Sequence, residues 1–100
     1  MLARIWTTGV DPARAADYER FAREESLPMF RAQPGFRGVL MMRDGARCRV
    51  ITLWEDQDAI DRLARSATYQ DTVRRILAAG FLTGEQTTEV GSLHLLHIAP

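Results

Sequence analysis

Hydrophobic and polar positions change period several times along the chain, and each change marks an element. Residues 2 to 8, LARIWTT, are rich in strand formers and end at Gly9, which predicts a first strand. Asp11 and Pro12 then signal a helix start. The carboxylate can cap free backbone N–H groups, and proline at the first helical position has no N–H to leave unpaired. Ala15, Tyr18, Phe21 and Ala22 recur at helical spacing, with Arg14, Asp17, Arg20 and Glu24 on the outer side. Pro28 is expected to kink or restart that helix. Gln33-Pro34-Gly35-Phe36 fits a type II turn, with proline second and glycine supplying the positive φ at the third position.

A hairpin follows. FRGVLMMR, residues 36 to 43, reads as the second strand, Asp44-Gly45 as its turn, and RCRVITLW, residues 47 to 54, as the third strand. A turn centred there sets Met41 opposite Cys48, Val39 opposite Val50 and Arg37 opposite Thr52, with Trp54 on the same face. Phe36, Leu40, Met42, Ile51 and Leu53 fall on the other face, so both faces are apolar and both need cover. Asp56 caps a second helix through Ile60, Leu63, Ala64 and Ala67, with Asp58 favourable near its positive end. Ser66 caps a further segment whose stripe is Tyr69, Val73, Ile76 and Leu77, stopping at Gly80. The last strand is predicted over residues 89 to 96.

The order strand, helix, strand, strand, helix, strand is the ferredoxin-like α+β plan, βαββαβ, with a four-stranded antiparallel sheet. Right-handed crossovers place the helices on one sheet face. The opposite face is too apolar to stay in water, which predicts a homodimer through the sheet faces. In this plan the third strand runs antiparallel beside the first, so Trp54 comes near Arg4, while Trp6 lies further along.

Composition narrows the classes. One hundred residues without a linker or repeat form a single domain, 1–100. Thirteen arginines balance thirteen acids with no long run of one sign, so neither nucleic acid nor membrane is an expected partner. A single cysteine, Cys48, excludes an intrachain disulfide framework and thiolate-pair metal sites. It fits a cytoplasmic protein, as does the lack of a leader in MLARIWTT and of any apolar run near roughly 18 residues. Cys48 has no local histidine and reads as an inert buried thiol. The chain has no lysine and no asparagine, which rules out Schiff-base chemistry and an Asn carboxamide within one chain. His94 and His97, three apart on a strand, would face opposite sides and make no metal site. Arg43, Arg47 and Arg49 either attract an anionic substrate or keep an edge strand from pairing with strangers.

Three stretches carry a resemblance: the strand ARIW, the segment LPMFRAQPGFRGV, and TLWEDQDAIDRLA followed by SATY. Together they resemble the antibiotic biosynthesis monooxygenase (ABM) domain, a family of dimeric α/β-barrels, over nearly the whole chain. The acidic-polar signature from Trp54 to Ala59 is its most specific part. The resemblance implies cofactor-free monooxygenases of aromatic polyketides, haem-degrading enzymes and quinol oxygenases as relatives. The haem-degrading branch uses an asparagine on the first strand, the tryptophan matched by Trp54 and a histidine on the second helix. Here Leu2, Ala3 and Arg4 stand in place of the first, and residues 56 to 80 contain no histidine. The polyketide oxygenases also combine an asparagine with a tryptophan and a tyrosine, of which Trp54 and Tyr69 have counterparts.

A monooxygenase with no cofactor must use its substrate as reductant, so the protein has only to bind a flat phenol, anthrone or quinol in a dry pocket and favour its anion. The expected catalytic set is Trp54 stacking on the ring, Arg4 facing the oxyanion and Tyr69 relaying a proton. Thr52 and Arg37, on the same face as Trp54, are expected to contact substrate. No cofactor and no metal are expected. Each residue has a plainer reading. Trp54 and Tyr69 would be packing, Arg4 would pair with Glu55 or Glu89, and His94 is either a base or structural. The competing functions are a non-catalytic small-molecule binder or stress-related dimer, and a polyketide cyclase or isomerase working without oxygen.

Overall fold

A computed structural model describes all 100 residues. The elements are β1 (Leu2–Val10), α1 (Ala15–Phe21), α2 (Leu27–Arg31), β2 (Phe36–Asp44), β3 (Arg47–Trp54), α3 (Gln57–Arg65), α4 (Ala67–Ala78) and β4 (Leu82–Ser92). The strands form one antiparallel sheet in the order β2-β3-β1-β4, the ferredoxin-like α+β fold expected. The helix-start signals act as read. Asp11 accepts a hydrogen bond from Ala13 N, Asp56 from Ala59 N and Ser66 from Tyr69 N. The turn before β2 closes with Phe36 N donating to Gln33 O, and Gly35 has φ 81°. A Cβ at Gly35 would also lie 2.5 Å from Ala59 Cβ, so this glycine is fixed by a close approach as well as by φ.

Pro28 does not break the first helical rod; it widens it. A prolyl ring clashes with the carbonyl four residues earlier and offers no N–H. The chain responds with a π-helical turn, Ala22–Ser26, in which Leu27 N donates to Ala22 O five residues back. That turn aims Ser26 inward.

Several expectations are corrected. The hairpin loop is Gly45-Ala46, because Asp44 already pairs with Arg47. Gly45 alone has positive φ, 59°, the requirement of a II′ turn with glycine in its first central position. The register moves by two residues, so Met41 faces Val50 and Val39 faces Thr52, and the faces are kept. A shift between Phe36 and Gly38 then leaves Arg37 in a bulge and turns Phe36 onto Trp54, the face opposite to that expected. The last strand runs from Leu82 to Ser92 instead of 89 to 96. Gly84, φ 67°, lies within it at an irregularity in the β1 pairing instead of ending it. His94 and His97 therefore follow the sheet, and the strand-face argument about them falls away.

Trp54 centres one buried cluster with Phe30, Val50, Ala59, Ile60 and Leu63, and Val10, Tyr18, Cys48, Ile76 and Phe81 form the other. Cys48 is buried, as expected. No helix is long and apolar enough to cross a membrane.

Candidate active site

Alternation along β1 sends Arg4, Trp6, Thr8 and Val10 toward the helices. Between this face and the helices lies a cavity of about 130 Å³, of the order of voids that take up an aromatic ring. Eleven of its fifteen lining residues are hydrophobic and none is an acid or a histidine, so the interior is apolar and lacks a carboxylate or imidazole base.

Arg4 stands in that wall, 8% exposed. Its Nη2 donates to the Tyr69 hydroxyl at 2.7 Å, and its Cζ lies 5.5 Å from the Tyr69 ring centroid. Tyr69 is held for this by the Ser66 cap, which accepts from Tyr69 N in the first turn of α4. The ion-pair alternatives for Arg4 are not taken up. Glu55 pairs with Arg37, and Glu89 lies opposite Ile5 on the other sheet face. No fully enclosed polar side-chain atom lacks a partner, so the guanidinium nitrogens of Arg4 that make no bond within the chain keep some exposure.

The other expected site residues lie elsewhere. Trp54 is 0% exposed and donates from Nε1 to Thr52 Oγ1 at 2.8 Å. Phe36 and Phe30 pack edge-on to its ring at 5.6 and 6.4 Å between centroids, which leaves no ring face for a ligand. Thr52, also 0% exposed, donates toward Arg4 O at 3.5 Å. These two residues back the strand that carries Arg4; they do not line the cavity. Arg37 is on the outside, ion-paired with Glu55. The expected neighbourhood of Trp54 and Arg4 holds diagonally, since Leu2 faces Trp54 and Arg4 faces Thr52.

At the cavity's other end, Tyr18 meets Cys48. Burial pushes the Tyr18 phenol well above its usual range, and a Cys48 thiolate beside it would raise it further. Burial also raises the Cys48 thiol, with the Tyr18 hydrogen bond and Arg43 opposing. The lining residues that sequence reasoning missed include Trp6, Ser26 and Gln86. Trp6 was legible, two positions after Arg4 on one strand face. Ser26 depends on the π turn, and Gln86 on a strand placed too late.

The family model for antibiotic biosynthesis monooxygenase matches residues 1–75. The chain belongs to the antibiotic biosynthesis monooxygenase family. No curated protein matches it. Among solved structures, this ABM protein is similar to a Bordetella bronchiseptica protein assigned provisionally to the same family, with 23% identity over 94% of this chain and 97% of that one and a TM-score of 0.79. It is similar to a variant of SnoaB, a cofactor-independent oxygenase from Streptomyces nogalater, with 20% identity over 95% and 94% and a TM-score of 0.75. Rv0793 of Mycobacterium tuberculosis gives 20%, 99% and 98%, and 0.70. At these identities the likeness establishes the ABM fold. The chemistry rests on the residues of this chain.

Proposed function

We propose that this protein is a cofactor-independent monooxygenase of an electron-rich aromatic of the phenol, anthrone or quinol type. The observation that carries the reading is Arg4, a buried guanidinium with no carboxylate partner in the wall of an apolar cavity. A desolvated cation is costly unless something offsets it, and the anion of a bound phenol or enol does so. Family membership and a likeness to a cofactor-independent oxygenase support the same reading.

For an anthrone the steps follow from this geometry. Arg4 favours the enolate, whose proton leaves to water, since the lining offers no acid or histidine to take it. The enolate passes one electron to dioxygen, and the carbon radical and superoxide combine to form a C–O bond. The peroxide then loses water as the carbon gives up its second hydrogen. One oxygen atom stays as a carbonyl, the other leaves as water, and all four electrons come from the substrate CH₂. The Tyr69 hydroxyl accepts from Arg4, so its own hydrogen is free to be given to the developing peroxide. The apolar lining limits the access of water to the radical pair.

The test is oxygen uptake by purified protein with anthrones, hydroquinones and naphthols, without metal, flavin or nicotinamide. Protein-dependent uptake that Arg4→Met abolishes is the expected result. No uptake across the panel overturns the reading; anaerobic turnover of the same compounds would point to a cyclase or isomerase, and binding without turnover to a binder.

A further inference from the structure

The π turn between α1 and α2 decides which side chain enters the roof of the cavity. Seven residues make about two turns of a regular helix, so at that period residue 25 would follow Tyr18 onto the inner face. The π turn takes up one position more. Glu25 is thereby carried outside, where it pairs with Arg75 at 2.9 Å, and Ser26 takes its place in the cavity lining, 9% exposed. Ser26 follows Tyr18 of the Cys48 cluster by eight residues and precedes Phe30 of the Trp54 cluster by four. Trp6 packs against both clusters from the sheet side, which sets Ser26 over the middle of the cavity.

The Ser26 hydroxyl has no partner in the chain. Its polar neighbours in the lining do. Thr72 donates from Oγ1 to Thr68 O at 2.9 Å, the usual back-bond of a helical hydroxyl, and the Gln86 amide donates to Thr8 Oγ1 at 3.1 Å and to Gly84 O at 3.2 Å. The equivalent acceptor for Ser26 is Ala22 O, which the π turn directs to Leu27 N, and Ser26 Oγ is left unbonded. No fully enclosed polar side-chain atom lacks a partner, so this oxygen keeps some exposure, and the space that Ser26 borders is the cavity. A hydroxyl in an apolar wall is costly until a ligand supplies its hydrogen bond.

We propose that Ser26 is a specificity-determining residue of this site, bonding a second polar substituent on the ring whose first oxygen Arg4 holds. The inference deepens the functional reading above and rests on it. Tyr69, which accepts from Arg4, packs on the Trp54 cluster, so the first oxygen is held at that end. A void of about 130 Å³ encloses one aromatic ring, and the ring set against Arg4 is therefore the ring that runs beneath Ser26. A hydroxyl both donates and accepts, so it takes a hydroxyl or carbonyl substituent; a methyl or a hydrogen at that position leaves Oγ unpaired.

The probes are the three isomeric benzenediols and the three cresols in which a methyl replaces the second hydroxyl, titrated calorimetrically without oxygen so that nothing turns over. At one of the three ring positions, Ser26→Ala is expected to lower the affinity for the diol relative to its cresol by about tenfold, the worth of one buried hydrogen bond. Solvation of the free ligands cancels between wild type and variant. Alanine favours the helix and leaves no polar group to satisfy, so the variant is expected to fold. A serine that only packs would shift diol and cresol together, and Arg4→Met weakens both while leaving their ratio alone. Ratios unchanged by Ser26→Ala at all three positions overturn the inference, as does a wild type that binds none of the six compounds. The oxygenase reading then stands or falls separately, on the oxygen uptake described above.

Discussion

Arg4 donates to the Tyr69 hydroxyl at 2.7 Å across the gap between β1 and α4, and no carboxylate comes within ion-pair distance of the guanidinium. A group buried at such cost and left without its counter-charge contributes little to stability. Arg4→Met is therefore expected to keep or raise the melting temperature while lowering oxygen uptake by about 10²- to 10³-fold, the effect of deleting one oxyanion donor. Tyr69→Phe is expected to lower uptake less, since the guanidinium stays. Initial rates on an oxygen electrode, paired with thermal melts, check both. An Arg4→Met protein as active as wild type contradicts the assignment.

Trp54 behaves oppositely. It is fully enclosed between Phe30, Phe36 and α3, and its indole N–H is bonded to Thr52. Trp54→Phe is expected to destabilise by about 1–3 kcal/mol, and Trp54→Ala by about 3–5 kcal/mol, from lost packing and cavity formation. Urea denaturation measures this. Ligand affinity of folded Trp54→Phe should match wild type, whereas a stable variant with lost affinity would return this residue to the pocket.

The Tyr18–Cys48 contact gives an alkaline limit. Both groups have folded pKa values above their ordinary ones, Cys48 from 9.0 and Tyr18 from 10.0. The unfolded chain therefore loses these protons first as pH rises, and stability present below about pH 9 falls above it. Tyr18→Phe should flatten the part of the fall beginning near about pH 10, as read from denaturation midpoints across that window. An unchanged pH profile in Tyr18→Phe would remove Tyr18 as its source.

The sheet face away from the helices carries Ile5, Leu40, Met42 and Ile51, with Leu40 and Met42 about half exposed. A face of this kind is expected to pack on a second copy. Light scattering should give a dimer for wild type and a monomer for Leu40→Glu, because a charge cannot be buried there unpaired. A wild-type monomer at micromolar concentration would show that the face does not pair.

Local chemistry set the elements of this protein. Capping side chains at Asp11, Asp56 and Ser66, the Pro34-Gly35 turn and the two-residue alternation of the strands each depend on a few adjacent residues, and the sequence displays them. Strand order followed from element order and crossover handedness. Arg4 and Tyr69 could be named because one lies on a strand face and the other on a helical stripe that this topology brings together. What only the tertiary structure decided was which side chains have an open face and which partners they take. The bulge at Arg37 turned Phe36 onto Trp54 and sealed its ring, the π turn forced by Pro28 brought Ser26 inward, and the irregularity at Gly84 oriented Gln86. Each departs from a regular period by one or two residues. Its energy comes from contacts distant in the chain, so hydrophobic patterning, which records only the regular period, carries no sign of it.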